Sequence, residues 1–261
     1  MRRHRTTLRI ASIAGLAAAL ATGCGDTGAK DGPGVKSGTR TVVVFAAASL
    51  TESFTALGRT FEASHPGVRV KFNFGGSSAL AQQIDQGAPA DVFAAASPAT
   101  MKQVTDAGGA SAPRVFARNR LEIAVPKGAS GTVTSLQDLA NPKTKVVLCA
   151  PQVPCGAAAL KALKAAGLTV KPVSQEQDVK AALTKVRLNE ADAALVYRTD
   201  VKAAAGQVQG IDFPEAAQAI NDYPIAALTK APQPGLAGEF VQSVLSPQGQ
   251  ATLQQAGFER P

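Results

Sequence analysis

Ser49, Ser77 and Cys155 stand out because each follows an apolar, strand-like run and opens a stretch of helical apolar spacing. The first lies in Phe45-Ala46-Ala47-Ala48-Ser49-Leu50, the second in Phe74-Gly75-Gly76-Ser77-Ser78, the third in Pro151-Gln152-Val153-Pro154-Cys155-Gly156. A helix start leaves its first N–H groups without intrahelical partners and carries partial positive charge. Several such starts brought together, with small residues for close backbone approach and hydroxyls as extra donors, are suited to hold an anion. Taken singly the signals are weak, since a Ser before a helix is most often a cap and a Gly pair most often a turn. The glycines do not form Gly-x-Gly-x-x-Gly, and no Walker-type Gly-Lys-Ser/Thr occurs, which argues against nucleotide sites.

Catalysis by a Ser or by Cys155 needs a nearby base. The chain has 2 His, His4 near the N-terminus and His65 before Pro66 in an expected loop. There is no Gly-x-Ser-x-Gly elbow and no dense Cys/His set for zinc. An enzyme is therefore disfavoured, and no cofactor is expected.

The elements that must position these residues alternate along the chain. Strands are expected at residues 41–45, 68–74, 90–95, 121–125, 146–150 and 193–197. Helices are expected at 50–64, 77–86, 98–107, 156–166, 176–188, 235–245 and 247–256. This order predicts an α/β protein of open, mostly parallel sheets with helices on both faces. Ligands of such sheets bind beyond the carboxyl ends of the strands, which is where the three turns lie.

At 261 residues the chain is long enough for two lobes with separate cores. Its N-terminus reads as a signal peptide over residues 1–23, with Arg2, Arg3, Arg5 and Arg9 ahead of an apolar stretch at 10–21. That stretch is too short for a transmembrane helix, which needs about 20 residues. Ala21-Thr22-Gly23-Cys24 resembles a bacterial lipobox, with Ala21 where Leu is usual, so Cys24 is the expected lipid acceptor. A plain secretory cut with Cys24 left as a thiol is the alternative. Residues 24–40 then form a polar tether to the outer face of the membrane.

Without the four leader arginines the formal charge of +8 falls to +4, and the remaining Lys and Arg are scattered, so no nucleic acid is expected. A regulator's sensor domain is disfavoured because a leader occupies the place of a DNA-binding segment. Cys149 and Cys155 remain as an even pair, able to form a disulfide in an oxidising exterior or to stay reduced in a strand-turn.

Val44-Phe45-Ala46-Ala47-Ala48-Ser49-Leu50-Thr51 resembles the opening of the periplasmic molybdate-binding family of ABC importers. So does Phe74-Gly75-Gly76-Ser77-Ser78-Ala79-Leu80-Ala81-Gln82-Gln83-Ile84, continuing through Gly87-Ala88-Pro89-Ala90-Asp91-Val92-Phe93. Val153-Pro154 with Gly156, Val196-Tyr197, Tyr223-Pro224-Ile225-Ala226 and Ser246-Pro247-Gln248-Gly249-Gln250 extend the similarity over residues 41–258. The resemblance implies a two-lobed periplasmic-binding-protein fold (type II), with the ligand in the cleft. The expected domains are 41–121 and 223–261 for the first lobe and 122–222 for the second.

It also implies hydroxyl and backbone N–H donors from Ser49 and Ser77, backbone N–H donors from Cys155 and Val179, and the phenolic hydroxyl of Tyr197. By themselves Val179 reads as core and Tyr197 as a strand-end aromatic. Cys155 departs from the family, which has Ala in this turn. The implied ligand is molybdate or tungstate, and the implied partners are a permease and its ATPase, with the binding protein a monomer. A donor-only site suits a deprotonated dianion and disfavours hydrogen phosphate, whose proton would want an acceptor. Sulfate passes this test equally, so molybdate over sulfate rests on the resemblance.

Overall fold

The computed structural model describes residues 39–129 and 131–261; the signal segment 1–23, Cys24 and all but the end of the tether lie outside the described residues. The first part of the chain alternates strictly: β1 (Arg40–Ala47), α1 (Thr51–Ser64), β2 (Val68–Gly75), α2 (Ser77–Asp85), β3 (Val92–Ala94), α3 (Pro98–Asp106) and β4 (Arg114–Asn119). The middle part is β5 (Leu121–Pro126), β6 (Val146–Cys149), α4 (Pro154–Ala165), β7 (Ser174–Glu176), α5 (Val179–Arg187), β8 (Ala193–Tyr197), α6 (Arg198–Ala203) and β9 (Val208–Ile211). The chain ends with β10 (Asn221–Ala227), α7 (Pro234–Leu245) and α8 (Pro247–Gln255).

Two five-stranded sheets result, ordered β2-β1-β3-β10-β4 and β7-β6-β8-β5-β9. Each is mostly parallel, as expected, with a single reversed strand, β10 in the first sheet and β5 in the second. β1 pairs parallel with β2 and β3, while β10 runs antiparallel to β3 and β4. In the second sheet β6 is parallel to β7 and β8, and β5 is antiparallel to β8 and β9. The two reversed strands are those on which the chain changes sheets: β5 follows β4 across Arg120 into the second sheet, and β10 brings the chain back to the first.

Four of these strands carry too weak a pattern to be read in advance. β7 has 3 residues, and β9 contains Gly210. β4 has an irregular burial pattern, and β10 contains Pro224, which lacks a ladder donor. β10 tolerates it through a register shift between Tyr223 and Pro224, and the Pro224 carbonyl still accepts from Ala95 N–H at 2.9 Å. The helix expected from residue 176 begins at Val179, because Asp178 Oδ1 caps it by accepting from Ala181 N–H at 2.9 Å.

The two cores differ in composition. Around the first sheet Phe54, with neighbours in three elements, meets Phe72 and Phe240 edge-on and Phe116 at a tilt. Gly58 lets α1 settle on β2, since a Cβ there would lie 2.7 Å from the Phe72 ring. The second core is built of Val, Leu and Ala from β5, β6 and β8 against α4 and α5. Asp91, fully buried, joins distant segments by accepting from Val43 N–H at 2.7 Å and Gln233 N–H at 2.6 Å.

Candidate functional site

The carboxyl ends of the parallel strands of both sheets converge on one cavity of about 20 Å³. Ser49, Ser77, Cys155, Val179 and Tyr197 all line it. Ser49 lies in a single 3-10 turn between β1 and α1, Ser77 is the first residue of α2, and Val179 is the first residue of α5. Cys155 is the second residue of α4, and Tyr197 ends β8. The amides of Cys155 and Val179 belong to first turns, where no carbonyl of the same helix can take them. All five residues are buried.

The hydroxyls are held from behind. Ala96 N–H donates to Ser77 Oγ at 3.0 Å, so the Ser77 proton is left for the cavity. Ser49 Oγ lies 2.9 Å from the Tyr223 hydroxyl, and Asn221 Nδ2 donates to the Tyr197 hydroxyl at 3.1 Å. Burial pushes the Tyr197 phenol well above its ordinary range, with Tyr223 and Asp200 adding to the rise, and burial raises Tyr223 too. Both stay protonated, so both are donors at neutral pH.

Contacts across the cavity join the two halves. Ser78 Oγ donates to the Gln152 carbonyl at 2.6 Å. Lys180 Nζ reaches Glu52 of α1 at 2.8 Å and the buried Asp200 at 3.2 Å. Burial pushes the Asp200 carboxyl up to about 6 against the pull of Lys180. Burial also disfavours the Lys180 cation, but Asp200 and Glu52 outweigh it and hold the ammonium above its ordinary range. Lys180 is thus committed to carboxylates, and its charge is spent beside the cavity. Asp178 lines the cavity as well, with its carboxylate turned onto α5 through Ala181. The groups brought together beside it are neutral hydroxyls and helix-start amides.

Cys149 ends β6 and is disulfide-bonded to Cys155, with Cα atoms 5.7 Å apart. The bond straps the turn that presents the Cys155 amide. Among the described residues no group of three or more His, Cys, Asp or Glu is placed to hold a metal ion. Sequence reasoning missed Asn119, Asn221 and Tyr223 behind the hydroxyls, and Glu52, Lys180 and Asp200 beside them. Their partners lie up to 174 residues away, so spacing carries no sign of them.

Residues 42–259 match the family model described as bacterial extracellular solute-binding protein. The chain belongs to this family. The chain is 44% identical to the molybdate-binding protein ModA of Mycobacterium tuberculosis (strain ATCC 25618 / H37Rv) over 251 residues, 95% of this chain and 94% of that one. The molybdate-binding protein ModA of Escherichia coli (strain K12) is 33% identical over 198 residues, 72% of this chain and 77% of that one.

Among solved structures, the Azotobacter vinelandii periplasmic molybdate-binding protein superposes with a TM-score of 0.75 at 21% identity, covering 84% of this chain and 99% of that one. The sulfate-binding protein SubI of Mycobacterium tuberculosis H37Rv gives 0.74 at 19% identity, covering 85% and 87%. The solute-binding fold is common to both, so fold alone does not choose between their ligands.

Proposed function

We propose that this protein captures molybdate outside the cell and delivers it to a membrane permease driven by an ATPase. The observation that carries the reading is the meeting of Ser49, Ser77, Cys155, Val179 and Tyr197, drawn from both sheets, around one small donor-lined cavity. Ser49, Ser77 and Tyr197 supply hydroxyls, and Cys155 and Val179 supply backbone N–H groups. A doubly negative tetrahedron accepts from all of them and needs no acceptor in return. The 44% identical molybdate-binding relative supports molybdate over sulfate, and tungstate, with the same charge and shape, fits equally.

The binding lobes follow the expected division into 41–121 with 223–261 and 122–222, except that Leu121 already belongs to the second sheet and Asn221 and Asp222 to the first, and they close about the crossings at Arg120 and Asn221. The protein binds without converting its ligand: His65 is held between Phe61 and Glu239 and does not line the cavity. A lipid on Cys24 tethers a monomer to the outer face of the membrane, as the Ala21-Thr22-Gly23-Cys24 run supports.

Titration calorimetry with molybdate, tungstate, sulfate and phosphate tests the reading. Molybdate and tungstate are expected to bind at least about 100-fold tighter than sulfate, because a smaller anion cannot reach every donor at once. Equal affinity for sulfate would overturn the assignment.

The Cys149–Cys155 disulfide belongs to the exported protein and stabilises the turn at the mouth of α4. Replacing both cysteines with Ser is expected to cost about 2 kcal/mol, lowering the melting temperature by about 5 °C for a chain of this size. Calorimetric melting of the variant beside the oxidised wild type checks this, and an unchanged midpoint would show that the bond contributes nothing.

A further inference from the structure

Asn119 and Asn221 face each other in direct register across the β4–β10 ladder. They are also the residues at which the chain leaves the first sheet and regains it. Both are buried, at 1% and 7% exposure, although an amide has four hydrogen-bonding sites to satisfy.

Asn221 Nδ2 lies 2.6 Å from the Ala96 carbonyl and 3.1 Å from the Tyr197 hydroxyl. A carbonyl oxygen only accepts, so this amide nitrogen must face it, and its second hydrogen goes to the Tyr197 oxygen. Asn119 is oriented in the same way, because its Oδ1 accepts from Arg120 N–H at 3.1 Å. Its Nδ2 then reaches Thr199 Oγ1 at 2.8 Å and the Tyr223 hydroxyl at 3.4 Å.

Each hydroxyl has a single proton, and behind each tyrosine stands a donor. Tyr197, with the Asn221 amide behind it, can point its proton to the cavity. Tyr223 can point to Ser49, and Ser49 to the cavity. Neither tyrosine can turn its proton back onto the amide behind it. Asn221 also holds the carbonyl of Ala96, whose N–H fills a lone pair of Ser77, so the third hydroxyl is ordered from the same place.

We propose that Asn119 and Asn221 are specificity-determining positioning residues. From the crossing between the sheets they aim the hydroxyl protons at the ligand, so that the cavity offers donors alone and prefers a fully deprotonated tetrahedral dianion to a hydrogen-bearing one of similar size. This rests on the reading of the cavity as an oxyanion site.

Asn221→Asp and Asn119→Asp each replace a donor with an acceptor of the same shape. The carboxylate of Asn221→Asp draws the Tyr197 proton away from the cavity and leaves a phenolic lone pair facing the ligand. Sulfate and hydrogen phosphate separate this effect from simple weakening, since both are dianions of similar size and only one carries a proton. The extra negative charge penalises the two alike, and a loosened crossing would weaken both without changing their ratio.

By titration calorimetry the wild type is expected to prefer sulfate to hydrogen phosphate and to bind molybdate tightest. In Asn221→Asp the sulfate-to-phosphate preference is expected to fall by about tenfold or more, the worth of one hydrogen bond to a charged group, and Asn119→Asp is expected to shift it in the same direction through Ser49. An unchanged ratio in variants that fold by circular dichroism overturns the proposal. Unfolding of both variants overturns it too, by showing that the pair holds the fold and not the protons. A wild type that binds no oxyanion refutes the site itself.

Discussion

Exchanging Ser49 and Ser77 together for Ala is expected to weaken molybdate binding by about 100- to 10,000-fold while leaving the fold intact. Each substitution removes one hydroxyl donor to a charged ligand, worth about 1.5–3 kcal/mol, and every 1.4 kcal/mol is about tenfold in affinity. The Ser77 change has a second consequence, because Ala96 N–H loses the Oγ it bonds at 3.0 Å. The Ser49 change breaks the 2.9 Å hydrogen bond with the Tyr223 hydroxyl. The two residues act on one ligand, so their effects need not add. Calorimetry on the single and double variants, with melting curves for fold integrity, measures this. Affinity within threefold of wild type in a folded double variant would remove both residues from the site.

Gly76→Ala is expected to abolish tight binding by a different route, through closure and not through a lost donor. Gly76 has φ −61° and ψ 126°, a conformation that Ala adopts without strain. The added Cβ would instead collide with the carbonyl oxygen of Gln177 and lie 3.2 Å from Val153 Cγ1, and both neighbours belong to the second-sheet half. The clash therefore exists only while the halves are together, and an open form is free of it. The expected result is an unchanged melting temperature without ligand, at least about 100-fold weaker molybdate binding, and loss of the rise in melting temperature that a tight ligand produces. Thermal melts with and without molybdate read out both. Wild-type stabilisation by molybdate in this variant would mean that the halves do not need to approach this closely. Gly156→Ala makes an instructive contrast, since its Cβ would meet the Ala150 carbonyl within its own half and so burden the fold itself.

Much of the first-sheet half was legible from residues alone. The Val42-Val43-Val44 run and the spacing of Phe54, Leu57 and Phe61 are local patterns, and local patterns are what periodicity reports. Asp178 shows the limit of that resolution, since its cap moves the helix start from the expected residue 176 to Val179 without altering the apolar period. β10 shows a deeper limit. Its Pro224 argues against a strand, and only the pairing with β3 on one side and β4 on the other, bulge included, makes it central to the first sheet.

The sequence by itself determined the kind of site: strand ends running into helix starts, small residues for close approach, hydroxyl and amide donors, and no base or metal cluster among the candidates. These follow from residue type and short-range spacing, which the chain carries wherever it folds. Tertiary structure alone decided that five such donors meet in one cavity, that Lys180 is neutralised by Glu52 and Asp200, and that Asn119 and Asn221 stand behind the hydroxyls. The reason is physical. A hydroxyl's proton points according to what lies behind it, and what lies behind it comes from segments up to 174 residues away, brought near only when both sheets have formed.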